Sequence, residues 1–199
     1  MRTGCDIAYR LLVWGDWACF PRPEFVVDLV TYEVMTPSAA RGILESIHWR
    51  PTVRWDISSI TVLNPVEVMA HPRSTIDPDG PRVLALKDVA YVIEAHLTLV
   101  DGERESIGAH RRRFERRAGL QRPYRRPYFG IRECPAEFRL LADGEAMSPS
   151  ADGLRGDRDW GWMIYDQDNT GSRPTRFVRV RSADGRIELP AAQDEVLFG

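Results

Sequence analysis

Lysine is almost missing from this 199-residue chain: Lys87 stands alone among 27 basic residues, and the other 26 are Arg. Cysteine is scarce too. Cys5, Cys19 and Cys134 are odd in number and far apart, which suits neither a disulfide framework nor a zinc site and points to a reducing cytosol. His occurs only at His48, His71, His96 and His110, with no CxxC, HxH or HExxH spacing, so neither a bound metal nor another cofactor is expected. No apolar run approaches the ~20 residues of a membrane span. The opening Met-Arg-Thr-Gly-Cys-Asp lacks the apolar stretch of a signal peptide. A cytoplasmic globular protein is the expectation, and 43% hydrophobic with 28% charged residues fits it.

What is present is charge in one place. The formal net charge is only -2, yet eight Arg fall between Arg111 and Arg126 against the single acid Glu115, so that window carries +7 and the rest of the chain -9. A GC-rich genome explains Arg in place of Lys; it does not explain clustering. A cationic segment on an acidic background is a local anion-binding candidate. Phe114, Pro123, Tyr124 and Tyr128 are interleaved with it. Arg and aromatic residues together suit a splayed RNA strand, with phosphates paired and bases stacked.

Residues Ile7 to Trp14 alternate through Ile7, Tyr9, Leu11 and Val13, which predicts a strand. The β-branched stretch Phe25 to Tyr32 predicts a short extra one. Thr36-Pro37-Ser38 reads as a helix start, a hydroxyl cap followed by Pro where a missing N–H costs little. Ala40, Ile43, Leu44 and Ile47 form its buried stripe, and Pro51 ends it near His48. That puts His48 in the last turn, where the helix dipole favours a cation. Val53 to Val62 predicts a strand with a bulge at Ser58-Ser59, residues 70–82 a Pro/Asp/Gly loop, and Val89 to Leu99 the longest alternating strand. After a turn at Asp101-Gly102, Glu103 to Gly119 predicts a second helix buried through Ile107, Phe114 and Ala118. On its wheel His110 borders the apolar stripe, with Arg113 and Arg117 on the same flank. A basic loop follows at 121–127, and Tyr128 to Leu141 predicts another strand.

The order strand, helix, strand, strand, helix, strand is the βαββαβ plan of ferredoxin-like (RRM-like) α+β folds. It is expected to fill residues 1–141. Residues 142–199 then form a small C-terminal antiparallel β appendage, with a strand at Trp160–Asp166 and a hairpin of Phe177–Arg181 and Arg186–Leu189 turning at Asp184-Gly185.

Fold alone does not fix function, so particular residues decide. Val13 to Glu24 (VWGDWACFPRPE) and Val34 to Pro51 (VMTPSAARGILESIHWRP) closely resemble one CRISPR-associated family. The likeness resumes at Val62 to Pro65, at His110 to Arg117, at Pro127 to Pro135 (PYFGIRECP) and, more weakly, at Trp160 to Asp166. The chain resembles the Cas-five family of the type I-C system (the d or Dvulg subtype), within the RAMP superfamily.

The resemblance implies a metal-independent endoribonuclease that cuts the pre-crRNA repeat at the base of its hairpin. It further implies that the protein stays on the crRNA 5′ handle in the Cascade complex, beside the backbone and large subunits. The alternative is a non-catalytic subunit that only holds the handle. The family's catalytic set is a Tyr ending the first helix and a Lys-His pair early in the second; these positions hold His48, Ala109 and His110 here. The expected catalytic residues are therefore His48 and His110, with Arg supplying the phosphate-binding charge of the missing Lys. Expected RNA contacts are Arg22, Arg50, Arg111, Arg113, Arg117, Arg125 and Arg126. His71 and His96 read as structural or solvated, and Trp14, Trp17, Trp49 and Trp55 as core. Residues 70–82 are shorter than the family's usual hairpin-bearing stretch at that place.

Overall fold

A computed structural model describes residues 8–72, 82–100, 102, 104–150, 154–166 and 175–190. Cys5, Ile7, Asp101, Glu103 and most of the 70–82 loop lie outside the described residues. Strand β1 (Ala8–Ala18) buries Tyr9, Leu11 and Val13 on one face, as its alternation predicts. After the two-residue β2 (Leu29–Val30) comes α1 (Pro37–Ile47), capped by the Thr36 hydroxyl, which accepts from the Ala39 N–H at 3.2 Å. Then come β3 (Val53–Val62), β4 (Val68–Ala70) and the 17-residue β5 (Val83–Leu99). Helix α2 (Ile107–Gly119) precedes β6 (Glu137–Leu140), β7 (Asp157–Asp166), β8 (Arg176–Ala183) and β9 (Arg186–Glu188).

Among the described residues these nine strands form one sheet in the order β6-β1-β5-β3-β9-β8-β7, with β2 and β4 also paired to β5. All neighbours along that order are antiparallel; β2 alone runs parallel to β5. The register of β3 on β5 slips between Ile57 and Ser59, which is the expected bulge. Helix α1 packs on β3 and β7, α2 on β5 and β6, and the two helices touch. Phe114 of α2 is fully buried against Tyr9 and Trp55, with ring centroids 4.9 and 4.6 Å away. This three-ring contact seats α2 on the sheet. No helix among the described residues is long and apolar enough to cross a membrane.

Several elements differ from the sequence reading. Only Glu137–Leu140 of the expected 128–141 strand joins the sheet. Residues 128–135 instead make a tight turn closed by a Tyr128–Pro135 bridge, because Gly130 has φ +79° and packs backbone to backbone on Cys19. A Cβ there would lie 1.8 Å from the Cys19 oxygen. Of Phe25 to Tyr32, only Leu29–Val30 is strand, and Phe25, Val26 and Val27 face solvent. Helix α2 begins at Ile107, which leaves Glu105 ahead of it. The C-terminal hairpin is present, but β9 pairs with β3, so this segment continues the main sheet. Trp55 is core and Trp17 packs against it, whereas Trp14 and Trp49 are exposed. Trp14 points from the outer face of β1, and Trp49, just past the helix end, is half exposed among the described residues.

Candidate active site and nucleic-acid surface

His48 is the C-cap of α1. Its N–H bonds to the Leu44 carbonyl at 3.0 Å, and its own carbonyl accepts from Trp55 Nε1 at 3.1 Å. With the backbone fixed on both sides, extended geometry at φ -145° turns the imidazole out of the helix toward α2. His110 lies in the first turn of α2, four residues before Phe114 and on the same buried face. The two rings meet: His48 Nε2 is 3.1 Å from His110 Nδ1, and both side chains are 1% exposed.

Arg117 closes the other end of the pair. Its guanidinium donates to the Ile47 carbonyl at 3.1 Å and lies 3.3 Å from His48 Nδ1. Glu105 stands 3.6 Å from His110 Nε2, and Arg113 holds both oxygens of that carboxylate. The proton positions follow from these partners. A guanidinium only donates, so His48 Nδ1 accepts. Neutral His48 then carries its proton on Nε2 and donates to His110 Nδ1, which leaves the His110 proton on Nε2, facing Glu105.

His48 is held neutral because its pKa is pushed down to about 4 by burial, then by Arg117, His110, Arg113 and Arg50. This reverses the expectation that the helix end favours a cation there. A helix terminus is worth about 0.3–1 kcal/mol when exposed, too little against burial beside several guanidinium groups. The Arg117 pKa is lowered by burial and then by Arg50, Arg116 and Arg113. Cations crowded in this way favour an incoming anion.

The structure thus brings together His48, His110, Arg113 and Arg117, with Arg50 within electrostatic reach. Arg125 and Arg126 lie on the adjoining loop. That loop is stitched to the end of α1, Tyr124 N–H to the Ile47 carbonyl at 3.3 Å and Arg125 N–H to the Ser46 carbonyl at 2.8 Å. Arg111 is on another side of α2, near Tyr9. Arg22 sits apart, 5.0 Å over the Tyr32 ring and 3.6 Å from Glu24. His71 packs its ring against Trp17, centroids 5.0 Å apart, a structural place. Sequence reading missed Glu105, whose only signal is an acid just ahead of the helix. It also missed Trp49, read as core, as a surface aromatic beside the site, whereas Tyr124, read with the Arg cluster, is exposed there as expected.

Solved structures with this fold include a CRISPR-associated protein, TM-score 0.81 at 20% identity, covering 98% of this chain and 100% of that one. A functionally uncharacterized protein from Streptococcus mutans has TM-score 0.77 at 21% identity, covering 98% of each. The fold is therefore one found among CRISPR-associated proteins. Residues 8–190 match the family described as CRISPR-associated protein (Cas_Cas5), subtype d, and the chain belongs to that family. A relative from Mannheimia succiniciproducens, CRISPR pre-crRNA endoribonuclease Cas5d, is 36% identical over 211 residues, covering 91% of this chain and 94% of its own. One of the same name from Thermus thermophilus is 35% identical over 221 residues, covering 95% and 94%.

Proposed function

We propose that this chain is a pre-crRNA endoribonuclease of the type I-C system, acting by metal-independent attack of a ribose 2′-OH on the neighbouring phosphate. The observation that carries the reading is the His48–His110 hydrogen bond beneath Arg113 and Arg117. Two rings in direct contact do not grip a phosphodiester from opposite sides, so they act in series. RNA phosphate draws Arg117 off His48 Nδ1. His48 Nδ1 takes the 2′-OH proton while His48 Nε2–H passes to His110 Nδ1 and His110 Nε2–H passes to the leaving 5′-oxygen. The 2′-oxygen–phosphorus bond forms, the phosphorus–5′-oxygen bond breaks, and both imidazoles stay neutral. The products are a 2′,3′-cyclic phosphate and a 5′-hydroxyl. Arg113 and Arg117 stabilise the phosphorane charge that Lys supplies elsewhere in the family.

The strand order β6-β1-β5-β3, with both helices packed on it, supports the ferredoxin-like reading. The product crRNA handle is held on the 111–126 segment, and the exposed Phe25, Val26 and Val27 offer an apolar contact to Cascade backbone or large subunits. The test is cleavage of labelled repeat RNA in EDTA. Wild type gives a single cut, and His110→Ala lowers the rate by roughly 10²-fold or more. An undiminished rate in that variant removes His110 from the chemistry.

A further inference from the structure

Beside the histidine pair, a groove of about 570 Å³ opens between α1, the 124–128 segment and the end of β7. That is space for one nucleotide or two. Its floor is the solvent face of α1, where Ser38, Gly42 and Glu45 recur at helical spacing and Trp49 extends the row beyond the helix end. Gly42 is open: among the described residues, a Cβ there meets nothing within 4 Å. Aromatic walls come from Trp49, Tyr124 and Tyr128, all 42–52% exposed, and Arg125 and Arg126 stand at the rim.

Two acids line the groove, in different states. Asp166 is held by Arg41 at 2.5 Å and by Arg176 at 3.2 Å. The Glu45 carboxylate makes no side-chain hydrogen bond or close ion pair among the described residues. Burial raises its pKa, Arg41 acts in the other direction, and the neighbouring Asp166 raises it further. A carboxylate left in a groove with stacking walls asks for two adjacent N–H donors. Among the four RNA bases, guanine alone offers them, N1–H beside N2–H₂.

We propose that this groove binds one unstacked guanine of the RNA substrate, with its Watson–Crick edge on Glu45, its face on Trp49 or Tyr124, and its phosphate on Arg125 and Arg126. This rests on the reading of the chain as an RNA-processing protein. Trp49 follows His48 directly, so the guanine lies next to the cleaved bond and fixes which bond enters the site. Glu45 is then a specificity residue.

Fluorescence anisotropy with short oligouridine RNAs carrying one guanine, inosine, adenine or cytosine tests it. Wild type is expected to bind the guanine RNA roughly tenfold or more tighter than the adenine RNA, with inosine, which lacks the N2 amino group, between them. Glu45→Gln is isosteric and should hold its thermal midpoint while the preference drops below about twofold. Trp49→Ala should weaken all four RNAs by roughly tenfold, and Gly42→Leu, which fills the groove, should do the same. No base preference in wild type, or an unchanged preference in Glu45→Gln, overturns the proposal. Repeat-RNA cleavage by the same preparation separates the two readings. Cleavage without guanine preference removes only the groove assignment; guanine preference without cleavage keeps the groove and removes the nuclease.

Discussion

His48 couples the fold to pH. Its folded pKa of about 4 lies below the ordinary His value near 6.5. Above pH 6.5 the ring is neutral in both folded and unfolded chains, and the coupling adds nothing. As pH falls from 6.5 toward 4, the unfolded chain takes up a proton that the folded one refuses, so stability is lost. At pH 5 the loss is on the order of 2 kcal/mol. Urea midpoints at pH 7 and pH 5 should therefore fall further for wild type than for His48→Gln; equal falls would refute the buried neutral ring. The relay makes a kinetic prediction at the same residue. The relay needs His48 Nδ1 unprotonated, and burial with the neighbouring cations lowers the His48 pKa, so the acid limb of single-turnover cleavage should fall below 6.5. A limb near 6.5 would indicate a conventional pair with one cationic His. His48 and His110 were legible in the sequence because family likeness marked both positions. Glu105 was not, because nothing in a one-dimensional pattern ties an acid ahead of a helix to a ring inside it.

At the level of elements, the 127–136 turn leaves little room for substitution. Gly130 faces the Cys19 carbonyl, and Gly15 would place a Cβ 2.8 Å from the Pro135 oxygen, so the turn and the end of β1 are locked backbone to backbone. Gly130→Ala should destabilise the protein by more than about 3 kcal/mol, through both the clash and the positive φ, read as a shifted urea midpoint. A near-neutral effect would mean the turn relaxes freely. The alternation of β1, β3 and β5 was plain in the sequence, as was the Thr36 cap. The turn was not. Phe129 is buried against Phe20 and Tyr91, so its neighbourhood imitates a half-buried strand, and only the approach of two backbones shows otherwise. The shortened Phe25–Tyr32 strand failed similarly, because β-branched residues mark a strand only where a partner edge exists.

Across the whole molecule, the sheet runs unbroken through β9 into the C-terminal strands. A chain ending at residue 150 would bare the β3 edge where Ile60 and Thr61 now pair with β9. It should aggregate rather than fold, and a soluble, cooperatively melting fragment would instead establish residues 1–141 as an independent domain. If the +7 segment carries the RNA, it should set the response to salt. Replacing Arg113 and Arg117 with Gln should flatten the salt dependence of RNA binding by about one log unit per lost contact. An unchanged slope would return both to structural duty on Glu105 and His48. The lock between the turn and β1 has a further use. Cys19 and Cys134 are buried on either side of it, their thiols pushed up to about 11 and about 12 by burial. As protonated, covered thiols they are inert to alkylating reagents. Their labelling rate is thus a clock for the opening of this junction, and RNA that braces the neighbouring groove should slow it.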